Sequence, residues 1–214
     1  MKTKLLLISI VFIGLFTDFS YNVAKEKWTK VDFDTTVKIQ DHISRKFDKY
    51  FSYFSLLGSA EVTVSFCVIM AFVSLVKFRL GGVLGWLMIL PASAGEVFGK
   101  LVLFHPGPPV FLHRSVLPTN LPSFYVHTDF SYPSGHMTRT IFIITVFICI
   151  VIFQSKKPFF KFVSISSLIC LAFLMGLTRV YLGEHWLSDV IGGSILGVGV
   201  AFFSSILILR VKKD

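Results

Sequence analysis

The chain has 214 residues, of which 54% are hydrophobic and only 15% are charged, and its mean hydropathy is +0.74. Because soluble domains carry about 25% charged residues, this composition excludes a disordered chain, a coiled coil and a soluble globule, and it predicts an integral membrane protein. The net charge of +9 would suggest nucleic-acid binding in a soluble protein, but the positions of the basic residues argue against that interpretation.

Apolar runs predict six membrane-spanning helices. A span needs about 20 residues, and the predicted spans cover roughly 4–23, 57–77, 79–104, 135–155, 161–179 and 185–209. The predicted fold class is therefore an all-α membrane protein, with one domain over 1–214. The first run follows a basic start and could be a signal peptide. We predict an uncleaved span instead, because Asn22 and Ala24 are a poor cleavage pair.

A predicted amphipathic helix over roughly 34–56 follows the first span. Asp34 is a plausible N-cap. Apolar residues then recur at helical spacing, at Ile39, Ile43, Phe47, Tyr50, Phe51 and Phe54. This helix could lie on the outer membrane surface or form a cap packed over the spans, and the sequence leaves both alternatives open.

The basic residues are distributed unevenly about the predicted spans. With an inside N-terminus, ten basic residues lie on the cytoplasmic side with one acid, Asp214. The ten are Lys2, Lys4, Lys77, Arg79, Lys156, Lys157, Lys161, Arg210, Lys212 and Lys213. The whole charge excess is then on one side, as the positive-inside rule expects. We predict a multi-pass protein of the cell (plasma or inner) membrane with both termini cytoplasmic.

The connection over 105–134 holds six of the eight prolines, which predicts an irregular extracytoplasmic loop. Three of its histidines are expected to be solvated: His105, His113 and His127. Substrate choice would lie in this loop and in the surface helix, where the sequence carries no recognisable code.

Ionisable residues cluster at the outer ends of spans three to six. Such residues at membrane depth are costly and mark functional sites. Seven of them lie at these ends: Glu96, Lys100, His136, Arg139, Arg179, His185 and Asp189. Their convergence at one depth predicts a single site.

Two groups within this set combine a candidate nucleophile or general acid with donors for an oxyanion. His185 and Asp189 are four residues apart and share a helix face, so the carboxylate can orient the ring and make its other nitrogen a better nucleophile. Arg179 offers two donors to an oxyanion. A helix-surface ion pair is the simpler alternative.

The second group begins the fourth span. Ser134 and Gly135 offer a hydroxyl and free N–H groups to an anion, and His136 can act as a general acid. A helix cap with an incidental histidine is the alternative. Lys100 joins the site only if the spans pack as predicted, and otherwise it is a snorkelling anchor.

Together these residues resemble the type 2 phosphatidic acid phosphatase (PAP2) superfamily, whose signature is K-x6-R-P, then P-S-G-H, then S-R-x5-H-x3-D. The second part is intact over 133–136, and the third, over 178–189, has Thr178 in place of serine. The first begins at Lys100 but has Gly107 in place of arginine. The resemblance implies a six-helix bacterial membrane lipid phosphatase whose active site faces outward.

The resemblance also implies a mechanism. His185 would attack phosphorus to form a phosphohistidine, Asp189 would orient it, and His136 would protonate the leaving oxygen and then activate water. Four residues would hold the phosphoryl oxygens: Lys100, Ser134, Gly135 and Arg179. No metal or cofactor is expected. Arg139 or Arg114 could replace the arginine missing at 107.

The predicted function is a metal-independent lipid phosphatase acting on phosphatidylglycerophosphate, phosphatidic acid or a polyprenyl pyrophosphate. Its expected partners are the lipid substrate and the bilayer, with no nucleic acid. Two alternatives stay open. One is a lipid-linked phosphotransferase on the same scaffold, and the other is a non-catalytic protein that binds or transports lipid phosphates.

Overall fold

The computed structural model describes residues 1–117 and 130–209, and these ranges contain nine α-helices. They are α1 (Lys2–Ala24), α2 (Thr29–His42), α3 (Asp48–Ser55), α4 (Ala60–Val76), α5 (Leu80–Leu87), α6 (Ile89–Val102), α7 (Gly135–Gln154), α8 (Pro158–Tyr181) and α9 (Leu187–Ile208). The middle of the predicted 105–134 loop, with His127, lies outside the described residues, as do the last basic residues from Arg210 onward.

Six stretches of the described helix are long and apolar enough to cross a membrane, which confirms the predicted all-α class with six spans. They are Lys2–Ala24, Arg45–Val76, Leu80–Val102, Gly135–Gln154, Pro158–Tyr181 and Leu187–Ile208. The third consists of α5 and α6, because Pro91 lacks an N–H group and its ring crowds the carbonyl of Leu87.

Helices α7 and α9 form the centre of the bundle. Half of the residues in the most apolar part of each of these two helices are buried, against 11–33% in the other four spans. The spacing of Gly193 and Gly197 predicts close helix packing. A Cβ atom at these positions would lie 2.4 Å from the Ser134 carbonyl oxygen and 2.5 Å from that of Thr138. Only glycine therefore allows α9 to approach α7 this closely.

Helix α1 packs along α9. The Ser9 hydroxyl donates to the Gly199 carbonyl oxygen at 2.7 Å, and the Ser20 hydroxyl lies 2.9 Å from that of Tyr132. These buried contacts make α1 part of the bundle, and the absence of cleavage after it stays a prediction.

The single surface helix predicted over 34–56 is two helices, α2 and α3, and α3 belongs to the same helical stretch, Arg45–Val76, as α4. The chain between them is extended at Ile43 and Ser44. The Ile43 carbonyl oxygen accepts from Arg114 Nη1 at 3.2 Å, and the Ser44 carbonyl oxygen accepts from the Tyr181 hydroxyl at 3.0 Å. Donors from distant segments thus replace helical hydrogen bonds here, and sequence periodicity carries no signal of them.

The expected N-cap, Asp34, is also wrong, because it lies inside α2. The buried face of α2 is polar and consists of Asp32, Thr36 and Gln40, four residues apart. This face packs on α8 and α9. The structure therefore favours the alternative of a cap packed over the spans.

Candidate active site

His185 and Asp189 form a buried pair at the start of α9. His185 Nδ1 lies 3.2 Å from Asp189 Oδ2, and the same oxygen accepts the Trp186 backbone N–H at 3.0 Å. The carboxylate therefore holds the imidazole against the first turn of the helix. With Nδ1 engaged, Nε2 is the ring nitrogen available to attack an electrophile.

The surroundings of His185 keep its imidazole neutral. Burial lowers its pKa well below the ordinary value of 6.5, and the positive charges of Arg179 and Lys100 lower it further. The negative charges of Glu184 and Glu96 act in the opposite direction. Because the unprotonated ring is the nucleophilic form, this environment suits His185 for attack at neutral pH.

Arg179, in the last turn of α8, is 2% exposed. Its guanidinium donates to the Ser55 hydroxyl and to the Glu184 carboxylate, and its carbonyl oxygen accepts the His185 N–H at 3.3 Å. Burial raises the pKa of Glu184, but the Arg179 guanidinium opposes that rise through its charge and its hydrogen bond, and the net pKa lies below the usual value. The side chain of Arg179 is thus held beside the nucleophile as part of an ion pair.

The start of α7 docks beside the start of α9. Ser134 is the N-cap of α7, and its hydroxyl oxygen accepts the Met137 N–H at 3.5 Å. The Ser134 N–H donates to the Asp189 carbonyl oxygen at 3.0 Å. The N-terminal amides of α7, which favour anions, are therefore next to the His185 pair.

Glu96 joins two of the predicted phosphate ligands. Its Oε1 accepts from Lys100 Nζ at 2.9 Å, and its Oε2 accepts from Arg139 Nη1 at 2.5 Å. Lys100 is only 3% exposed, so it is not a snorkelling anchor. The carboxylate presses on Gly135, where a Cβ atom would lie 2.1 Å from Oε1. Glu96 thus places a negative charge where the predicted cradle would bind an anion.

His136 follows Gly135 in the first turn of α7. Its ring packs on Gly58, where a Cβ atom would lie 3.0 Å from His136 Cδ2. Four other candidate residues are within electrostatic range of His136: Lys100, Arg139, Arg179 and His185. The structure therefore brings His136 into the same site.

His105 is not a solvated loop histidine, contrary to expectation. It is 8% exposed, and its Nε2 lies 3.6 Å from Asp189 Oδ1 and 4.0 Å from Asp32 Oδ2. His113 is exposed, as expected, with Nε2 3.1 Å from the Pro108 carbonyl oxygen. The fold of α2 over the loop buries one histidine and leaves the other at the surface.

Arg114 has its contacts elsewhere. Besides its bond to the Ile43 carbonyl, its guanidinium lies 5.1 Å from the centre of the Tyr181 ring. Neither contact is with a predicted phosphate-binding residue. Gly107 has room for a side chain, since a Cβ atom there would make an ordinary 3.5 Å contact with Ser131.

Four residues of the site were missed in the sequence. They are Asp32, Ser55, Gly58 and Glu184. Only Glu184 had a local signal, since it directly precedes His185. The other three precede α4, far along the chain from all three parts of the signature.

The family model of the PAP2 superfamily matches residues 62–213, which is more than half of the chain. The chain belongs to the PAP2 superfamily. This confirms the predicted family, and the predicted enzyme class, a phosphoric-ester hydrolase of the PAP2 type, agrees with it. No curated protein matches the chain.

Two crystal structures share the PAP2 fold of this chain. One is the transmembrane PAP2 type phosphatidylglycerolphosphate phosphatase from Bacillus subtilis, with 19% identity, a TM-score of 0.73, and coverage of 92% of this chain and 93% of that chain. The other is LpxE of Aquifex aeolicus, with 22% identity, a TM-score of 0.59, and coverage of 81% and 94%. At these identities the likeness shows the fold, and with the six apolar spans it identifies a multi-pass membrane protein.

Proposed function

We propose that this PAP2 protein is a metal-independent phosphatase that hydrolyses a phosphate monoester or pyrophosphate of a membrane lipid through a phosphohistidine. The observation that carries the proposal is the buried His185–Asp189 pair, with Nε2 free of that pair, beside Arg179 and the start of α7. The phosphatidylglycerolphosphate named for the Bacillus subtilis neighbour supports a lipid phosphate as substrate.

In the first step, His185 Nε2 attacks phosphorus. The P–N bond forms as the bond from phosphorus to the lipid oxygen breaks, and His136 donates a proton to that oxygen. Asp189 accepts the Nδ1 proton of His185 in a hydrogen bond and stabilises the positive charge on the phosphorylated ring.

In the second step, His136 removes a proton from water as the water oxygen attacks phosphorus. The P–N bond breaks, and inorganic phosphate leaves with His185 restored. The phosphoryl oxygens would be held by Lys100, Ser134, Gly135 and Arg179, which stabilise charge that develops in the transfer. Arg139 would replace the family arginine missing at Gly107, because its guanidinium reaches the Glu96 carboxylate beside Lys100.

The site would face the outer side of the membrane. Arg79 Nη2 donates to the Ile208 carbonyl oxygen at 3.1 Å, so the basic turn over 77–79 lies at the end of α9 and the His185 pair at its start. Twenty-two residues of helix span about 33 Å, which is about the thickness of the hydrocarbon core. Since the basic end is predicted to be cytoplasmic, the site is extracytoplasmic.

The decisive experiment is phosphate release from a panel of lipid phosphates and pyrophosphates by detergent-purified protein in EDTA, beside His185→Ala. Release by the wild type and none by the variant would support the histidine mechanism and rank the substrates. A wild type that is folded but releases no phosphate from any lipid would overturn the proposal. Lower phosphate release in the presence of an excess of a lipid or sugar acceptor would favour the phosphotransferase instead.

A further inference from the structure

One side of the Asp189 carboxylate takes no part in holding His185. Oδ2 accepts from His185 and Trp186, whereas Oδ1 is buried without a hydrogen-bond partner among the described residues. A buried carboxylate oxygen without a donor is costly. The His105 ring faces this oxygen, with Nε2 3.6 Å away, and Ser131 also lies beside the carboxyl.

His105 is itself held by a second buried carboxylate. Its Nε2 lies 3.4 Å from Ser188 Oγ and 4.0 Å from Asp32 Oδ2. Ser188 donates to Asp32 twice, from its backbone N–H at 2.8 Å and from its hydroxyl at 2.7 Å. Since the Ser188 hydroxyl proton is directed to Asp32, the lone pairs of Ser188 Oγ face His105. They favour the tautomer of His105 that carries its proton on Nε2.

Asp32 lies on α2 and is only 1% exposed. Burial raises its pKa to about 6, although the hydrogen bonds from Ser188 oppose that rise. Asp32 is therefore still charged at neutral pH. Its negative charge favours an N–H donor at His105 Nε2, between two carboxylates.

We propose that His105 and Asp32 are positioning residues for the reaction assigned above to His185. His105 Nε2–H donates to Asp189 Oδ1 and fixes the carboxylate so that Oδ2 faces the nucleophile. The same Nε2–H also faces Ser188 Oγ, and Asp32 fixes the orientation of that hydroxyl by accepting its proton. The 3.6 Å separation fits this role, because hydrogen bonds of catalytic groups are often long before substrate binds and shorten in the complex. The inference rests on the proposed function.

The test compares His105→Ala with His105→Gln, whose amide keeps an N–H donor. We expect the alanine variant to lower kcat about tenfold with KM within about twofold, because it removes one hydrogen bond to the Asp189 carboxylate and no contact with the substrate. The glutamine variant should recover at least about half of the wild-type kcat. His113→Ala is the matched control in the same loop and should leave both constants unchanged.

Asp32→Asn provides a second variant, because asparagine removes the charge and can accept only one of the two hydrogen bonds that Ser188 donates. It should lower kcat about threefold with KM unchanged, and it decides the question if His105→Ala does not fold. Wild-type kcat in His105→Ala or in Asp32→Asn would overturn the inference. So would equal losses in the alanine and glutamine variants with a lowered Tm, since that pattern marks a role in folding alone.

These outcomes are separable from failure of the proposed function. A wild type without phosphatase activity, or an active His185→Ala variant, would refute the histidine mechanism and with it the positioning role. An active wild type, an inactive His185→Ala variant and a fully active His105→Ala variant would refute the positioning role alone.

Discussion

Glu96→Gln tests whether a carboxylate of the protein occupies the phosphate cradle. Glu96 accepts from Lys100 and Arg139, and it lies against Gly135 at the start of α7. A bound phosphoryl group would compete with it for both cations. Removing the charge of Glu96 should therefore lower the stability of the phosphate-free protein and strengthen anion binding.

The magnitudes follow from the two buried contacts. Breaking a buried ion pair costs about 3–5 kcal/mol, and we expect the lower end, because glutamine keeps one acceptor oxygen. In a protein of this size 1 kcal/mol shifts Tm by about 2–4 °C, so Tm should fall by roughly 6–12 °C in anion-free buffer. In the variant, phosphate no longer has to break one of the charge-assisted bonds that Glu96 makes with Lys100 and Arg139. The inhibition constant for inorganic phosphate should therefore fall about tenfold.

The assay pairs thermal unfolding in detergent, with and without inorganic phosphate, with inhibition of lipid hydrolysis by phosphate. Phosphate should raise the Tm of the variant more than that of the wild type. Glu26→Gln is the matched control, because Glu26 is exposed after α1. If Glu96→Gln leaves both the anion-free Tm and the phosphate inhibition unchanged, the carboxylate does not compete with phosphate.

Three further outcomes are expected. Arg139→Ala should raise KM for the lipid phosphate about tenfold, whereas Arg114→Ala should leave KM within twofold, because Arg114 contacts Ile43 and Tyr181 instead; full activity in both variants would contradict the replacement of the family arginine. Gly107→Arg should lower KM about tenfold by adding a charge-assisted phosphate contact, and an unchanged KM would show that the added side chain does not reach the substrate. The pKa of His185 is lowered below 6.5, so lowering the pH from neutral to 6.5 should not reduce the rate of phosphohistidine formation, followed in single turnovers. The rate should fall only below pH 6.5, as the His185 ring gains a proton, and an acid-side loss centred above 6.5 would contradict the neutral buried imidazole.

Much of the site was predictable because its signals are local. The spacing of His185 and Asp189 on one helix turn, and the cap formed by Ser134 before His136, are properties of short segments. Their roles in catalysis stay predictions. The burial of His105 was not predictable, because it depends on how α2 folds over a proline-rich loop whose path no local pattern describes.

The sequence by itself determined the solvent and the scaffold. Six apolar runs of about 20 residues predict membrane spans, and inside the bilayer such runs are stable as helices because a helix satisfies every backbone polar group. The order of the motifs pointed to the family. Only the tertiary structure decided which charges meet. Glu96 joins Lys100 to Arg139 across two helices, and Asp32 reaches Ser188 from 156 residues away. Electrostatic and hydrogen-bond energies depend on distances of a few ångströms, and those distances exist only once the helices have packed.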